Sequence, residues 1–222
     1  MINKEQRILY IINCLAEHGD KRLARLYNFT EFAGVDLARF FLGSHYRALH
    51  IIKGGEASWV SFLDGFRKLK TEENVKAIDL FFQMHGKPSA VRFIDRWLSL
   101  REMGEELSQA ADPNQLRLIY NLSCYGDSHA EMFLAAGFKA SVGALKINSS
   151  AAIEYPTFCR LWAKTGLESN KSLSLREIVR RSDRPTVRRL QDSIARRYFD
   201  DVDSTKVIRG NEFMKISDLP ES

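Results

Sequence analysis

The chain has 222 residues, a formal net charge of +5 at pH 7 and a sequence pI of about 9.1. Hydrophobic residues make up 45% and charged residues 27%, which is ordinary for a soluble globular protein and enough for one substantial domain. The mild excess of basic residues does not by itself require a nucleic-acid partner. No segment approaches the roughly 18 consecutive apolar residues of a membrane helix, so we expect no membrane partner.

The cysteines and the start of the chain bear on the compartment. There are three cysteines, Cys14, Cys124 and Cys159. Charged residues precede only a brief apolar run over 8–15, so the sequence does not predict a signal peptide. An odd cysteine count without an export signal predicts reduced thiols and a cytoplasmic location.

Three apolar, β-branched stretches in the first half of the chain predict strands, over 7–14, 47–53 and 75–84. The first stretch also fits a helical period, so a helix is the alternative there. The segment 58–69 has its large apolar side chains on one side and predicts an amphipathic helix.

A helix between the first two strands is expected to begin at Thr30, because threonine is a common N-terminal cap, and to end at Gly43. The preceding segment, 16–28, is polar and predicts no regular structure. Phe32 and Phe40 are among the apolar positions of this helix, and we interpret aromatic residues at helical spacing as core.

The pair Pro88-Ser89 predicts the start of a further helix, since proline is favoured in the first turn. The expected buried face of this helix consists of Val91, Ile94, Trp97 and Leu98.

Two more strands are predicted over 116–123 and 140–147, with a short helix over 130–136 between them. Asp127 or Ser128 is the expected cap of that helix. Three helices are then expected, over 155–164 (ended by Gly166), 174–181 and 185 to about 198. A last strand or hairpin is expected over 206–214.

The alternation of strands and helices predicts an α/β protein, a three-layer α/β/α sandwich around a mostly parallel sheet of about six strands. We expect one domain over residues 1–222, whose C-terminal part from about residue 172 is helical and basic.

Two of the predicted strands end abruptly at a chemically reactive side chain. Within the stretch 79–86 the apolar run stops at the pair His85-Gly86. Within the stretch 116–126 the apolar run stops at Cys124. Active sites of open α/β sheets lie beyond the carboxyl ends of the strands, and neighbouring strands are about 4.8 Å apart. If these two strands are neighbours, His85 could accept the thiol proton of Cys124 and create a nucleophilic thiolate.

The backbone around this pair could support the same chemistry. Glycine at position 86 lets the main chain approach a substrate closely, so the N–H groups of Gly86 and Cys124 are candidates for an oxyanion hole. The N-terminus of the helix near Asp127 would point its positive end at Cys124 and lower the pKa of the thiol.

At this point the sequence resembles the caspase-like cysteine peptidases, the clan that includes caspases, legumains, gingipains, separases and CHAT-type proteases. His85-Gly86 and Cys124 match the catalytic histidine and cysteine of that family, each following an apolar strand, in the same order. By strand order the resemblance covers roughly residues 7–198. The chain departs from the family in having Ser123 before the cysteine and Tyr125 after it.

The resemblance implies a cysteine endopeptidase that acts through a thioester acyl-enzyme, with His85 and Cys124 as catalytic residues and no cofactor. Its substrate would be a protein or peptide, and a separate regulatory or targeting protein could act as a partner. No residue matches the family's specificity pocket.

Simpler interpretations remain open. Cys124 could be a structural cysteine, and His85 could merely end a strand. Cys14 and Cys159 have apolar neighbours and are expected in the core. His129 and His85 could contribute to a zinc site, but no fourth ligand has fitting spacing, so we expect no metal.

The arginine-rich region 176–197 supports an alternative function. A catalytically silent scaffold of this fold could bind nucleic acid or an acidic protein through these arginines. The competing interpretation is a solvated helix face with ion pairs to Glu177, Asp183 and Asp192, and we favour it because few aromatic residues are interleaved.

Overall fold

The structure is a computed structural model that describes residues 2–19, 21, 24–164 and 173–220. Its strands, in chain order, are β1 (Arg7–Asn13), β2 (Ala48–Lys53), β3 (Ala77–Gln83), β4 (His85–Lys87), β5 (Ala90–Arg92), β6 (Trp97–Ser99), β7 (Leu116–Asn121), β8 (Ala140–Ala144) and β9 (Lys206–Gly210). Its α-helices are α1 (Ala24–Leu42), α2 (Trp59–Thr71), α3 (Leu100–Ala110), α4 (Ala130–Ala135), α5 (Ala151–Lys164), α6 (Leu175–Ser182) and α7 (Pro185–Ala195).

Six strands form the central sheet in the spatial order β2-β1-β3-β7-β8-β9. The first five are parallel, and β9 pairs with β8 in the antiparallel direction. This arrangement confirms the predicted α/β class and the mostly parallel sheet of six strands.

Helices cover both faces of the sheet. Every residue of β1, β3, β7 and β8 is buried, as expected for parallel strands enclosed on two sides. One core cluster packs side chains of α2, α3 and α4 on the sheet, and a second packs α1, α5 and α6 on the other face. The three-layer architecture follows because each face of the sheet can be buried only under a separate set of helices.

The predicted helix at Pro88-Ser89 is wrong. That segment contains β5 and β6, which pair with β4 in a separate three-stranded antiparallel sheet. Val91 and Leu98 are buried, but Trp97 is 41% exposed. Burial therefore alternates between neighbouring residues, as in short strands, and does not follow one face of a helix. The helix begins at Leu100, where the Ser99 hydroxyl accepts a hydrogen bond from the Glu102 N–H.

The start of α1 also differs from the prediction. The helix begins at Ala24, so Thr30 lies inside it and is not its cap. Phe32 and Phe40 are 69% and 80% exposed, so the interpretation of these two residues as core is wrong. The inward face of α1 is carried instead by small and aliphatic residues, Val35, Ala38 and Leu42.

The C-terminal half follows the prediction more closely. The helices expected from Ser174 and Pro185 are α6 and α7, and β9 is the expected last strand. Gly166 and the expected start of the basic part near residue 172 lie outside the described residues. Among the described residues, no helix has the length and apolar character needed to cross a bilayer.

A buried ion pair links the two central strands β3 and β7. The side chains of Asp79 and Arg117 are both fully buried, with Arg117 Nε 2.8 Å from Asp79 Oδ1 and Arg117 Nη2 2.5 Å from Asp79 Oδ2. The Tyr46 hydroxyl also donates to Asp79, and Arg117 Nη1 donates to the carbonyl of Ile216. The pair therefore compensates two buried charges and attaches the segment after β9 to the sheet.

Candidate active site

The strands that lead to His85 and Cys124 are neighbours in the sheet. Strand β3 pairs in parallel with β7, and Phe82 lies opposite Asn121. The N–H of Leu122 donates to the carbonyl of Phe82 at 2.8 Å, which extends the pairing beyond β7. His85 and Cys124 therefore lie at the same edge of the sheet, just after the carboxyl ends of adjacent strands.

The imidazole of His85 is fixed by a main-chain carbonyl. Its Nε2 lies 2.7 Å from the carbonyl oxygen of Leu15, which follows β1 as His85 follows β3. Because a carbonyl only accepts hydrogen bonds, we assign the proton to Nε2, which leaves Nδ1 as the basic atom of the ring. The Tyr27 ring packs edge-on against the imidazole with the centroids 5.1 Å apart.

Burial lowers the pKa of His85 below its usual value, and the Leu15 carbonyl opposes this shift. The nearby charge of His18 lowers the pKa further. The imidazole is therefore neutral near pH 7 and able to accept a proton.

Cys124 is half-buried, and burial raises the pKa of its thiol. The backbone N–H of Asn148, which donates to the thiol, and the charge of Lys206 both oppose that rise. Between the side chains of His85 and Cys124 themselves, both of which lie in the described part of the chain, there is no hydrogen bond. The structure thus places the two residues at neighbouring strand ends without a hydrogen bond between their side chains.

Gly86 lies in close contact with the main chain of the cysteine turn. A Cβ atom at Gly86 would lie 2.3 Å from the carbonyl oxygen of Cys124 and 3.0 Å from both Ser123 Cβ and His129 Cε1. Only glycine allows β4 to pass this close to Cys124, so the glycine after the histidine has a steric role.

We expect Gly86→Ala to lower the free energy of unfolding by about 1–3 kcal/mol, because the added methyl group must displace a backbone carbonyl. The turn that holds Cys124 should shift at the same time. Urea denaturation measures the first effect. Gly55→Ala is the matched control, since a Cβ at Gly55 meets nothing within 4 Å. Equal stability of the two variants would contradict the close contact.

The residue after Cys124 adopts an unusual backbone conformation. Tyr125 has a φ of 57°, in the left-handed region that is uncommon for aromatic residues. Its N–H donates to the carbonyl of Lys146 at 2.7 Å, and its hydroxyl donates to Asp201 at 3.0 Å. These bonds hold the turn against the loop that follows β8 and against the segment between α7 and β9.

The expected cap of the helix after Cys124 is wrong. The α4 helix begins at Ala130, and neither Asp127 nor Ser128 caps it. Asp127 pairs instead with Arg209 at 2.8 Å, and Ser128 Oγ donates to the carbonyls of Tyr125 and Pro88. The backbone N–H from another segment that lowers the pKa of the thiol belongs to Asn148 and not to this helix.

His129 has a structural role. Its Nδ1 accepts from Asn121 Nδ2 at 3.1 Å, and its Nε2 donates to the carbonyl of Lys87 at 2.7 Å. Both ring nitrogens are therefore occupied, and the ring connects β4 to the end of β7. Within the described ranges, no group of three His, Cys, Asp or Glu side chains could hold a metal ion.

The remaining predicted residues can also be placed. Cys14 and Cys159 are fully buried, which confirms their assignment to the core. In the arginine-rich region, Arg176 pairs with Glu212 at 3.0 Å and Arg188 pairs with Asp183. Glu177 instead accepts from the N–H of Ser174, the N-cap of α6, and Asp192 is buried and binds two serines.

Three groups that contact the candidate site were missed in the sequence: the Leu15 carbonyl, the Asn148 N–H and the Lys206 ammonium. Every residue carries a carbonyl and nearly every residue an N–H, so no residue pattern marks the first two. For Lys206, the available signal was a lysine at the first position of a predicted strand.

No protein-family model matches the sequence, and no curated protein matches it either. Among solved structures, the chain is similar to the Arg-specific cysteine proteinase gingipain R, with a TM-score of 0.55 and 12% identity over 99% of this chain and 49% of that chain. Gingipain R is a clan CD cysteine protease, the clan of the caspase-like peptidases. This chain has the caspase-like fold.

A secreted C11 cysteine protease from Bacteroides thetaiotaomicron, solved with an irreversible peptide inhibitor, is also similar, with a TM-score of 0.49 and 11% identity over 76% of this chain and 55% of that chain. The chain thus spans about half the length of both structures. At these identities the likeness concerns the fold alone.

Proposed function

We propose that this chain is a cysteine endopeptidase in which Cys124 is the nucleophile and His85 the general acid and base. The observation that carries the proposal is the position of these two residues, at the carboxyl ends of the adjacent strands β3 and β7 of a caspase-like fold. The Leu15 carbonyl supports it further, because it holds the imidazole in the tautomer whose Nδ1 can accept a proton.

The reaction would proceed through two acyl-transfer steps. His85 Nδ1 removes the proton from the Cys124 thiol, and the thiolate attacks the scissile carbonyl. The N–H groups of Gly86 and Cys124 are the proposed donors to the oxyanion. The protonated imidazole then gives its proton to the leaving amine, and water hydrolyses the thioester to release the acyl product.

Burial of the thiol makes this proton transfer necessary. Because burial raises the pKa of Cys124, the thiol is largely protonated near neutral pH in the absence of a base. The sulfur must also turn from the Asn148 N–H towards the imidazole and the substrate. We infer that substrate binding accompanies this movement.

The experiment that tests the proposal is selective alkylation. The folded protein is treated near neutral pH with iodoacetamide and with acyloxymethyl ketone peptides of varied P1 residue, and adducts are mapped by mass spectrometry. We expect modification at Cys124 and not at the fully buried Cys14 and Cys159. His85→Ala should slow the reaction of the peptide probes by about 10²–10⁴-fold, the usual range for loss of a general base.

His50→Ala is the matched control, because His50 is a partly exposed histidine whose only ion pair is with Glu72 within the described residues. This variant should be modified at the wild-type rate. Equal labelling of all three cysteines, or labelling of Cys124 that does not depend on His85, would contradict the proposed dyad and favour a non-catalytic scaffold.

A further inference from the structure

A buried lysine contacts the loop that follows β8, near the proposed nucleophile. The Lys206 side chain, at the start of β9, is 1% exposed, and its Nζ lies 2.9 Å from Glu154 Oε2. The same Nζ donates to Asn148 Oδ1 at 2.8 Å. A buried ammonium needs a compensating anion, and Glu154 supplies it. Glu154 alone balances the charge of Lys206, so the hydrogen bond from Lys206 to the Asn148 carboxamide is not needed for charge compensation.

Asn148 is held at both ends of its side chain. Its Oδ1 accepts from Lys206, and its Nδ2 donates to the carbonyl of Leu122 at 3.0 Å, two residues before Cys124. Its backbone N–H lies near enough to the Cys124 thiol to lower the pKa of that thiol. The carboxamide thus fixes the loop between β8 and α5 against the end of β7, at the point where this loop meets the sulfur.

The surroundings of Lys206 are charged and closely bonded. Glu154 accepts from the Tyr120 hydroxyl and, at 3.1 Å, from Ser150 Oγ. The backbone N–H of Lys206 donates to Asp183 Oδ2 at 3.3 Å, and Asp183 pairs with Arg188. The charged groups that face Lys206 are therefore Glu154 from α5 and Asp183 from the turn after α6, and Arg188 from α7 compensates Asp183.

We propose that Lys206 is a positioning residue for the peptidase: through the carboxamide of Asn148 it holds the Asn148 N–H at the Cys124 sulfur and so stabilises the thiolate. The inference rests on the proposed function, since it assigns a role in preparing the same nucleophile. It adds two residues, Lys206 and Asn148, that lie on different elements from both members of the dyad.

The test measures the rate of Cys124 alkylation by iodoacetamide between pH 5 and 10, by mass spectrometry, in variants that keep the protein folded. Asn148→Ala removes the carboxamide and leaves the Lys206–Glu154 ion pair intact. The double variant Lys206→Met/Glu154→Gln removes the ammonium without leaving an unpaired buried charge. In both variants we expect alkylation at pH 7 to slow by about tenfold, because the thiolate loses a donor or a nearby positive charge.

The direction of the effect distinguishes thiolate stabilisation from a general structural effect. Loss of a group that favours the thiolate raises the pKa of the thiol, so the plot of alkylation rate against pH should move to higher pH. The rates of variant and wild type should become equal at a pH where the thiol is fully ionised. Lys146→Met is the matched control, since Lys146 is a half-exposed lysine of the same loop that pairs with Asp201. Its profile should stay at the wild-type position, and urea denaturation checks that each variant is folded.

Two results would overturn the inference: an unchanged profile in Asn148→Ala, or an equal loss of rate at every pH in both variants. Neither measurement needs a peptide substrate, so the inference can fail while the peptidase stands. Conversely, a displaced profile in a protein that fails to react with the acyloxymethyl ketone peptides would leave Lys206 as a modifier of Cys124 reactivity and reject the proposed function.

Discussion

Replacement of Cys124 by alanine is expected to abolish peptide cleavage, with a fall in kcat on the order of 10⁶-fold, the size of loss seen when the nucleophile of a covalent protease is removed. Without the sulfur no thioester can form, and the remaining N–H donors can only bind the substrate. The fold should persist, because Cys124 is a small, half-buried residue at a strand end, and we expect a change in unfolding free energy within about 1 kcal/mol.

Cleavage is measured with a mixed fluorogenic peptide library, and stability with urea. Cys159→Ala is the matched control: it removes a thiol that is fully buried in α5, so it should retain cleavage. Residual cleavage by Cys124→Ala at the wild-type rate would reject Cys124 as the nucleophile.

Arg117→Met is expected to lower the free energy of unfolding by about 3–5 kcal/mol, the largest stability effect that we predict for this chain. The substitution leaves the Asp79 carboxylate buried between β3 and β7 with only the Tyr46 hydroxyl as a described side-chain donor. It also removes one of the two arginine donors to the carbonyl of Ile216, the other being Arg7. Urea denaturation followed by circular dichroism measures the loss.

The double variant Asp79→Leu/Arg117→Met separates charge from packing. Because both buried charges are then absent, we expect it to recover most of the stability lost in Arg117→Met. If the double variant is no more stable than Arg117→Met, then packing and the bond to the segment after β9 matter more than the unpaired carboxylate.

The central strands could be predicted from the sequence because both of their faces are buried. Such strands are continuous apolar runs, and β3 and β7 therefore stood out with their ends close to the observed positions. Since ligands of open sheets bind beyond these ends, the same pattern predicted His85 and Cys124 as candidate residues, and the predicted neighbouring strands are observed.

The errors occur where tertiary packing decides local structure. Val91 and Leu98 fit a helical face as well as two short strands, and pairing with β4 decides between these alternatives. The spacing of Ser99 and Glu102 was an available sign of the helix start that was overlooked. Phe32 fits the apolar pattern of α1, but the inward face of the helix is filled by smaller residues.

Groups of the main chain set the limit of what the sequence can predict about the site. The roles of the Leu15 carbonyl and the Asn148 N–H come from where the chain passes, and no side-chain pattern specifies that path. The sequence shows a lysine at position 206, but its contact with Asn148 depends on the antiparallel pairing of β9 with β8.

The antiparallel last strand has a consequence for synthesis of the protein. Leu15, His85, Cys124 and Lys206 come from widely separated parts of the chain, and the site joins them through pairings between distant segments. While Lys206 is still inside the ribosome, Asn148 lacks one of its two anchors and the thiol lacks its nearby charge. A nascent chain in which β9 has not yet paired would therefore lack this contact, and the proposed peptidase activity would begin only after β9 had left the ribosome.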